Sequence, residues 1–531
     1  MSRETCQHAR PAPAPRVPGS VGRLARRAPV VALAAGMLAT VAAVPASAST
    51  GLGFDAATTA GSVHHAAAAI GAHDSYRAGF TGKGVDIAMI DTGVTEVPGL
   101  DSGNVWHGPD LSFDSQDPEL TQKDAYGHGT HLASIMVGRD VPGTPASYVD
   151  ATRFTGIAPD SRLVSVKVGA SDGAVDVSQV VAAIDWVVAN RTRDGLNIRV
   201  LNLSYGTDGL QDAKLDPLTY AVEQAWKKGI VVVVAGGNDG TDIRALANPA
   251  RDPYVLAVGA ADTRGTVGAS DDLVPAWSSR GSSSRYVDLV APGVSVHGLR
   301  VPRGHADERN PGAVVGTRFA RASGTSQAAA VVSGAAALLL QEEPGLKPDQ
   351  VKRQLMGTAT SFSGAVTQLR GTGLVNVRRA QTAANTTATQ SATLFGSGLG
   401  TLEGARGSSH VHDGVTELRG ELDVFGRPWV AGTWAPASAA GTAFSGGTWR
   451  GATWTGDGWN ARMWRGTTWT AGTWSARMWR DAEWSARMWR DGRWTSTTTS
   501  TTDTWSARMW RDAVWSARMW RSAGWSSAAW S

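Results

Sequence analysis

The sequence predicts an α/β fold, a doubly wound and mostly parallel sheet flanked by helices, with a C-terminal β-rich repeat region behind it. Three observations carry this. Between about residues 75 and 380, short and nearly unbroken Val/Ile runs alternate with helical stretches, and strands covered by helices on both faces read as continuous apolar runs. Of the 531 residues, 42% are hydrophobic, 18% are charged and 63 are glycine; this mix can bury a large core and excludes a disordered chain or a coiled coil. Eighteen of the 22 tryptophans follow Phe425, which sets the end of the chain apart.

The chain opens with Arg23, Arg26 and Arg27 ahead of an apolar stretch over residues 28–44, closed by Pro45-Ala46-Ser47-Ala48. A charged lead, an apolar run and small residues at its exit make a secretory signal, residues 1–48, cleaved after Ala48. The run falls short of the roughly 20 residues a spanning helix needs, and no later stretch approaches that length, so the mature chain is expected to have no membrane span. The protein is then secreted, extracellular or cell-wall associated. Arg26-Arg27 alone does not make a twin-arginine signal, because the residues after it add nothing to that reading. The one cysteine, Cys6, leaves with the signal and excludes a disulfide framework or a Cys-based zinc module. A net charge of +4 without any Lys/Arg stripe gives no footprint for nucleic acid.

Residues 49–72, rich in Ala, Gly, Thr and Ser, are expected to form a short flexible lead-in, and residues 73–382 the main domain. Strands are expected at residues 85–90, 163–168, 199–203, 230–235 and 254–258. Helices are expected at residues 177–190 and 218–228, the second stopped by Gly229. Strand–helix alternation of this kind builds a doubly wound sheet, whose ligands bind at the carboxyl ends of the strands.

Four sites carry chemistry there. Asp91 ends the first strand beside Thr92 and Gly93; taken alone, it is a turn residue or a helix cap. His128 and His131 lie in Gly127-His128-Gly129-Thr130-His131, ahead of a helical run at residues 132–137; no Glu or Cys at zinc spacing joins them, so no metal is assigned. Asn238 follows Gly236 and Gly237 at a strand end, where an Asn can serve a left-handed turn or aim an amide donor into a cleft. Ser326, after Ser323-Gly324-Thr325, introduces a long apolar helix at residues 327–341; it is either a cap or a nucleophile placed where free N–H groups favour negative charge. Together they supply what acyl transfer requires: a nucleophile, an imidazole base, a carboxylate that holds the base's tautomer, and an oxyanion donor.

On these boxes the chain resembles the subtilisin-type serine peptidases over roughly residues 72–382. Ile90-Asp91-Thr92-Gly93 matches the family's Asp box, His128-Gly129-Thr130-His131 its His box, Asn238 its oxyanion asparagine and Gly324-Thr325-Ser326 its Ser box. Asn202-Leu203-Ser204-Tyr205-Gly206 is similar to the strand that pairs with substrate, and Trp277-Ser278-Ser279-Arg280-Gly281 and Ala291-Pro292-Gly293 to turns of that fold. The resemblance implies a secreted endopeptidase acting on protein or peptide substrates, with Asp91, His128 and Ser326 catalytic. It implies a first side-chain pocket lined by Ser204, Tyr205, Gly206, Ala235, Gly236 and Gly237, where two glycines suggest room for a large apolar residue. Calcium is implied by the family alone, since no EF-hand spacing occurs; no cofactor is otherwise required. The chain departs from the family at Gln327, where Met is usual, and at Ala330, where Pro is usual. Its lead-in is also much shorter than the family's folding propeptide. Two rivals compete with this reading: an adhesion or scaffold protein with a vestigial fold, which has no need of all four residues, and an acid-active Ser–Glu–Asp peptidase, which lacks the His box.

Residues 383–428 read as a linker with a small β-like segment, and residues 429–531 as a Trp-rich tail. From Trp449 to Trp494 tryptophan recurs every five residues, and Trp505 to Trp530 resume the period one step out of register. Five residues turn an α-helix by about 140° past a full turn, so no single face forms, and on a flat strand an odd spacing alternates faces. A coil that turns a corner every five residues satisfies both constraints, which is a β-solenoid. The tail then packs on itself with indoles inside and Arg stacked on them, or it engages cell wall and other surfaces, or it remains unfolded as a low-complexity repeat. Tryptophan fluorescence separates these: the self-packed tail is expected to emit blue-shifted and resist quenchers, and a red emission that moves on adding cell wall selects the binding module.

Overall fold

The computed structural model describes residues 51–453 except 241–244, 385, 386, 388, 391–394 and 413–416. The signal expected over residues 1–48 and the repeat from Trp454 onward, with its β-solenoid, lie outside the described residues.

Seven strands form one parallel sheet: β1 (Asp86–Asp91), β2 (Val105–Asp110), β3 (Arg162–Lys167), β4 (Ile198–Leu203), β5 (Val231–Ala235), β6 (Leu256–Ala261) and β7 (Leu289–Pro292). Their order is β2-β3-β1-β4-β5-β6-β7. β1 pairs with β3 on one side, Asp91 opposite Lys167, and with β4 on the other, Ile90 opposite Leu203. The strand order therefore reverses at β1, and the crevice of a doubly wound sheet opens at its carboxyl end. That end is Asp91. The five expected strands are present with ends within three residues of those expected. β2 (VWHGPD) and β7 (LVAP) lie outside the expected strands, and Ala291-Pro292, expected in a turn, end β7; both are edge strands, where the missing N–H of a proline is tolerated.

Helices α1 (Val63–Ala69) and α2 (Ala72–Arg77) precede the sheet, α3 (His128–Val137) follows β2, and α4 (Val177–Asn190) and α5 (Pro217–Lys227) make the crossovers around β4. Asp176 caps α4 by accepting from Ser178 N at 2.9 Å, and Asp216 caps α5 by accepting from Thr219 N at 2.9 Å. The antiparallel sheet of β8 (Val296–Leu299), β9 (Val314–Val315) and β10 (Phe319–Ala322), with the short helix α6 (His305–Arg309) between β8 and β9, delivers the chain to α7 (Thr325–Glu342). α7 is buried from Thr325 to Leu340, as an all-round apolar helix must be. It packs against α3 and across β4, β5, β6 and β7. α4 and α5 pack on each other as a second helical layer. α8 (Pro348–Thr358), α9 (Thr367–Arg370) and α10 (Val377–Thr382) complete this part of the chain.

Two expectations need correction. The lead-in over residues 49–72 is not a flexible strand of chain: it holds α1, and Leu52, Ala56, Val63 and Ile70 are buried in the core. Ala and Val scattered without an obvious period were enough to bury one helix face. The stretch expected over residues 383–428 to be a linker with a small β-like segment is packed more widely: it holds helix α11 (Leu402–Arg406) ahead of the antiparallel bridges His412–Glu417 and Leu422–Pro428, with Leu402, Val411, Leu418 and Val424 in the core. Behind it come α12 (Ala431–Ala440) and the strands β11 (Phe444–Ser445), β12 (Thr448–Trp449) and β13 (Ala452–Thr453). The alanine content of residues 431–440 favours helix over the strand expected from the tryptophan period. Between β12 and β13, Arg450 and Gly451 both take positive φ, +50° and +75°, the two-residue turn that matches strand twist. Residues 448–453 are thus an antiparallel hairpin.

Buried polar pairs fasten this extension to α4. Arg406, fully buried, donates from Nε to Asp176 Oδ2 at 2.6 Å and from another guanidinium nitrogen to Asp176 Oδ1 at 3.3 Å. Lower on α4, buried Asp185 accepts from the indole N–H of Trp434 at 2.8 Å and of Trp449 at 2.9 Å, and from Ser438 Oγ at 2.6 Å. All three donors belong to the extension.

Burial pushes the Asp185 carboxyl up to about 6, whereas an unfolded chain keeps it near ~3.9. Between those values the folded state holds the proton that the unfolded state has released, so this group's contribution to stability falls as pH rises through the window. Asp185→Asn removes the titration. The unfolding free energy of the variant relative to the parent is expected to improve by about 1–3 kcal/mol between roughly pH 4 and pH 6; denaturant titrations giving a constant difference across that range would contradict it.

Candidate active site

Asp91 ends β1 and His128 begins α3, and both are fully buried. His128 Nδ1 lies 2.6 Å from Asp91 Oδ1. A carboxylate only accepts, so the proton of this contact is on Nδ1. The approach of the helix to the strand end is close: a Cβ at position 129 would lie 2.1 Å from Gly93 O. That is the structural reason for glycine after His128.

A second acid, Asp124, holds this arrangement from below and was not singled out in the sequence. Its Oδ1 accepts from Gly127 N at 2.6 Å and Thr92 Oγ1 at 2.8 Å, and its Oδ2 from Thr130 N at 2.7 Å. Gly129 N in turn donates to Thr92 Oγ1 at 2.9 Å, and Thr92 N donates to Asp91 Oδ1 at 2.8 Å. Asp124, fully buried, therefore ties the first turn of α3 to the Asp91 turn. Burial raises its pKa, opposed by the hydrogen bonds it accepts. The available signal was an Asp placed just before a helix start, where carboxylates satisfy free N–H groups.

Lys167, opposite Asp91 in the register, is a further member of this layer. Its buried ammonium donates to Asp114 Oδ2 at 2.8 Å, Lys123 O at 2.7 Å and Leu120 O at 3.0 Å. These three oxygens satisfy the three N–H donors of the buried ammonium. Among the described residues no group of three or more His, Cys, Asp or Glu is arranged to hold a metal ion, so no ligand set is assigned to the family-implied calcium. His131 belongs to packing: burial pulls its pKa down to about 3, and a Cβ at position 298 would lie 2.7 Å from its ring.

Ser326 is the second residue of α7 and is buried. Its Oγ makes no hydrogen bond, and its carbonyl accepts from Ser204 Oγ at 3.4 Å. Beside it, Asn238 Oδ1 accepts from Thr325 N and Thr325 Oγ1, each at 3.0 Å. A backbone N–H can only donate, so the side of Asn238 facing Thr325 must be its oxygen, and the NH2 is turned the other way. Thr325 Oγ1 also accepts from Gly237 N at 3.1 Å. The structure thus joins Asp91 to His128 and Asn238 to the start of α7; Ser326 Oγ is not hydrogen-bonded to His128. α3 and α7 pack side by side.

The residues expected to line a substrate pocket follow β4 and β5. Ser204, Tyr205 and Gly206 are buried, as are Ala235, Gly236 and Gly237. The glycines do not simply leave room: a Cβ at 236 would lie 2.8 Å from Val287 Cγ1, and one at 237 would lie 2.8 Å from Ser279 Oγ. A side chain at either position would run into the protein itself. Tyr205 is buried in the core, and burial drives its hydroxyl pKa well up, with Asp176 adding to the rise and Arg406 opposing it.

The sequence model of the subtilase family, peptidase S8, matches residues 82–398. The chain is similar to serine protease AprX of Bacillus subtilis (strain 168), 35% identical over 302 residues that cover 56% of this chain and 66% of that one. It therefore spans just under two thirds of AprX. Subtilisin BL of Lederbergia lenta is 33% identical over 309 residues, 58% of this chain and 94% of the relative. A crystal structure of a cold adapted subtilisin-like serine proteinase aligns at 29% identity and a TM-score of 0.40, covering 56% of this chain and 88% of that one.

The Asp124 network makes a kinetic prediction. Asp124→Asn places an NH2 against N–H donors and is expected to lower kcat about 10–100-fold with KM nearly unchanged, while Thr92→Ser, which keeps the hydroxyl, retains most activity. A variant that only melts earlier, with parental kcat, would assign Asp124 to stability alone.

Proposed function

The chain belongs to the subtilase family and is a serine endopeptidase of the subtilisin type, and from that premise we propose that Asp91, His128 and Ser326 are its catalytic triad, with Asn238 as oxyanion donor. Ser326 Oγ attacks the scissile carbonyl, and His128 Nε2 takes its proton and later hands it to the leaving amine. Asp91 keeps the imidazole in the required tautomer and stabilises the imidazolium. The tetrahedral oxyanion is bound by Asn238 NH2 and Ser326 N–H, at the positive end of α7. The observation that carries this reading is the 2.6 Å hydrogen bond between two fully buried side chains, Asp91 and His128. Away from water an ion pair formed there gains far more than it would at the surface.

An extended peptide pairs with residues 204–206, and its first side chain lies between that edge and residues 235–237. Residues 1–48 export the protein, which then acts outside the cell on protein or peptide substrates. Residues 73–382 carry catalysis, and the tryptophan repeat packs on itself beyond the docked segment. Among the described residues no helix is long and apolar enough to cross a membrane.

A fluorophosphonate probe is expected to label the secreted protein and to fail on Ser326→Ala; equal labelling of that variant would refute the nucleophile. Removing one oxyanion donor of a subtilisin costs about 10²–10³ in kcat. Asn238→Ala is expected to lose the same order with little change in KM, and a loss confined to KM would remove Asn238 from the oxyanion site.

A further inference from the structure

The loop over residues 207–216 runs from the proposed substrate edge to α5, and its partners come largely from the C-terminal extension. Thr207 Oγ1 donates to Ala405 O at 2.5 Å, and Asp208 Oδ1 accepts from Ser408 N at 2.6 Å. Asp208 Oδ2 also accepts from Ser408 Oγ. At the loop's far end, Ser397 N donates to Lys214 O and Gly400 N to Leu215 O, each at 2.6 Å. In the middle, Gln211 Nε2 donates to Thr401 O at 2.8 Å. The contact is close as well as polar: a Cβ on Gly209 would lie 2.4 Å from Gly404 O.

The extension that grips the loop is itself rigidly held. Arg406, one residue from Ala405, is fully buried and forked onto Asp176 at the start of α4. Tyr205, the middle residue of the substrate edge, is buried within the field of the same ion pair. The grip therefore starts immediately where residues 204–206 end, and nearly all of it lies beyond residue 398, the last residue of the family match.

We propose that residues 396–408 are a specificity-determining brace, which fixes the loop over residues 207–216 so that it receives substrate residues remote from the scissile bond. This rests on the reading that residues 204–206 pair with substrate. A peptide extended along that edge advances about 3.3 Å per residue, so one of about four or more residues reaches the loop, where Thr207 and Gly209 are buried and half-buried Asp208 and exposed Leu210 are accessible, whereas a short ester engages only the nucleophile and its immediate surroundings. Binding energy from remote residues is what holds a long substrate in register. Thr207 and Asp208 act as positioning residues, and Arg406 sets the brace against α4.

The test uses the full-length secreted chain, its Asp208→Ala variant, which loses both bonds to Ser408, and its Ser408→Ala variant, which keeps the backbone one. Each is assayed with a hexapeptide amide and with a short N-acyl amino acid ester. For the hexapeptide, Asp208→Ala is expected to raise KM about tenfold and Ser408→Ala about two- to threefold, with kcat nearly parental; the ester is expected to change less than about twofold in both. Equal losses on the two substrates, or no change on either, would overturn the brace. The reading beneath it is judged separately: if the parent takes no fluorophosphonate, or Ser326→Ala takes as much as the parent, the peptidase assignment fails whatever the hexapeptide shows.

Discussion

A carboxylate and an imidazole meet 2.6 Å apart in a place water does not reach, and much of the architecture serves that meeting. Burying a carboxylate costs several kcal/mol unless its acceptor capacity is met. Asp91 sits where the sheet order reverses, and Thr92 N and His128 Nδ1 both meet its Oδ1, while its buried Oδ2 accepts no hydrogen bond among the described residues. The helix that brings His128 is positioned by Asp124, which satisfies N–H groups of its first turn and reaches through Thr92 to the same strand end. The glycine at 129 follows from this: the helix start and the strand end approach too closely for a side chain.

The same logic of compensation governs the C-terminal side. Asp176 and Asp185 both lie on the flank of α4, and each would be an uncompensated buried charge without the extension. Arg406 meets the first with a forked ion pair, and two indoles and a serine hydroxyl meet the second. Removing one partner of a buried pair is far more costly than replacing both, so the extension and α4 have to be considered as one packed unit. Trp449, the first member of the strict tryptophan period, is spent on this contact, and the guanidinium of Arg450 lies 4.8 Å from the ring of Trp429. The repeat thus begins as part of the folded body.

Much of the site was legible in the sequence because the chemistry-bearing residues lie in short, glycine-flanked boxes at the ends of apolar runs. Asp91, His128, Asn238 and Ser326 could be picked out that way, and so could the run that became α7. Asp124 and Lys167 could not. An acid four residues before a histidine and a lysine inside a strand look like surface residues until the fold buries them, and only then does each need the specific oxygen or N–H partners it has. The glycines at 236 and 237 carry a meaning the sequence leaves open: the Cβ each lacks would meet Val287 and Ser279.

The linear order of residues by itself determined the alternation of strands and helices, hence the parallel sheet, and the identity of the chemical groups at its carboxyl edge, because both depend on local periodicity and on residue type. Tertiary structure alone decided which charges are compensated and by whom: Lys167 by the loop around residues 114–123, Asp124 by α3, and Asp176 by an arginine 230 positions away. Burial is a property of the assembled chain, and the worth of a charge changes several-fold with it.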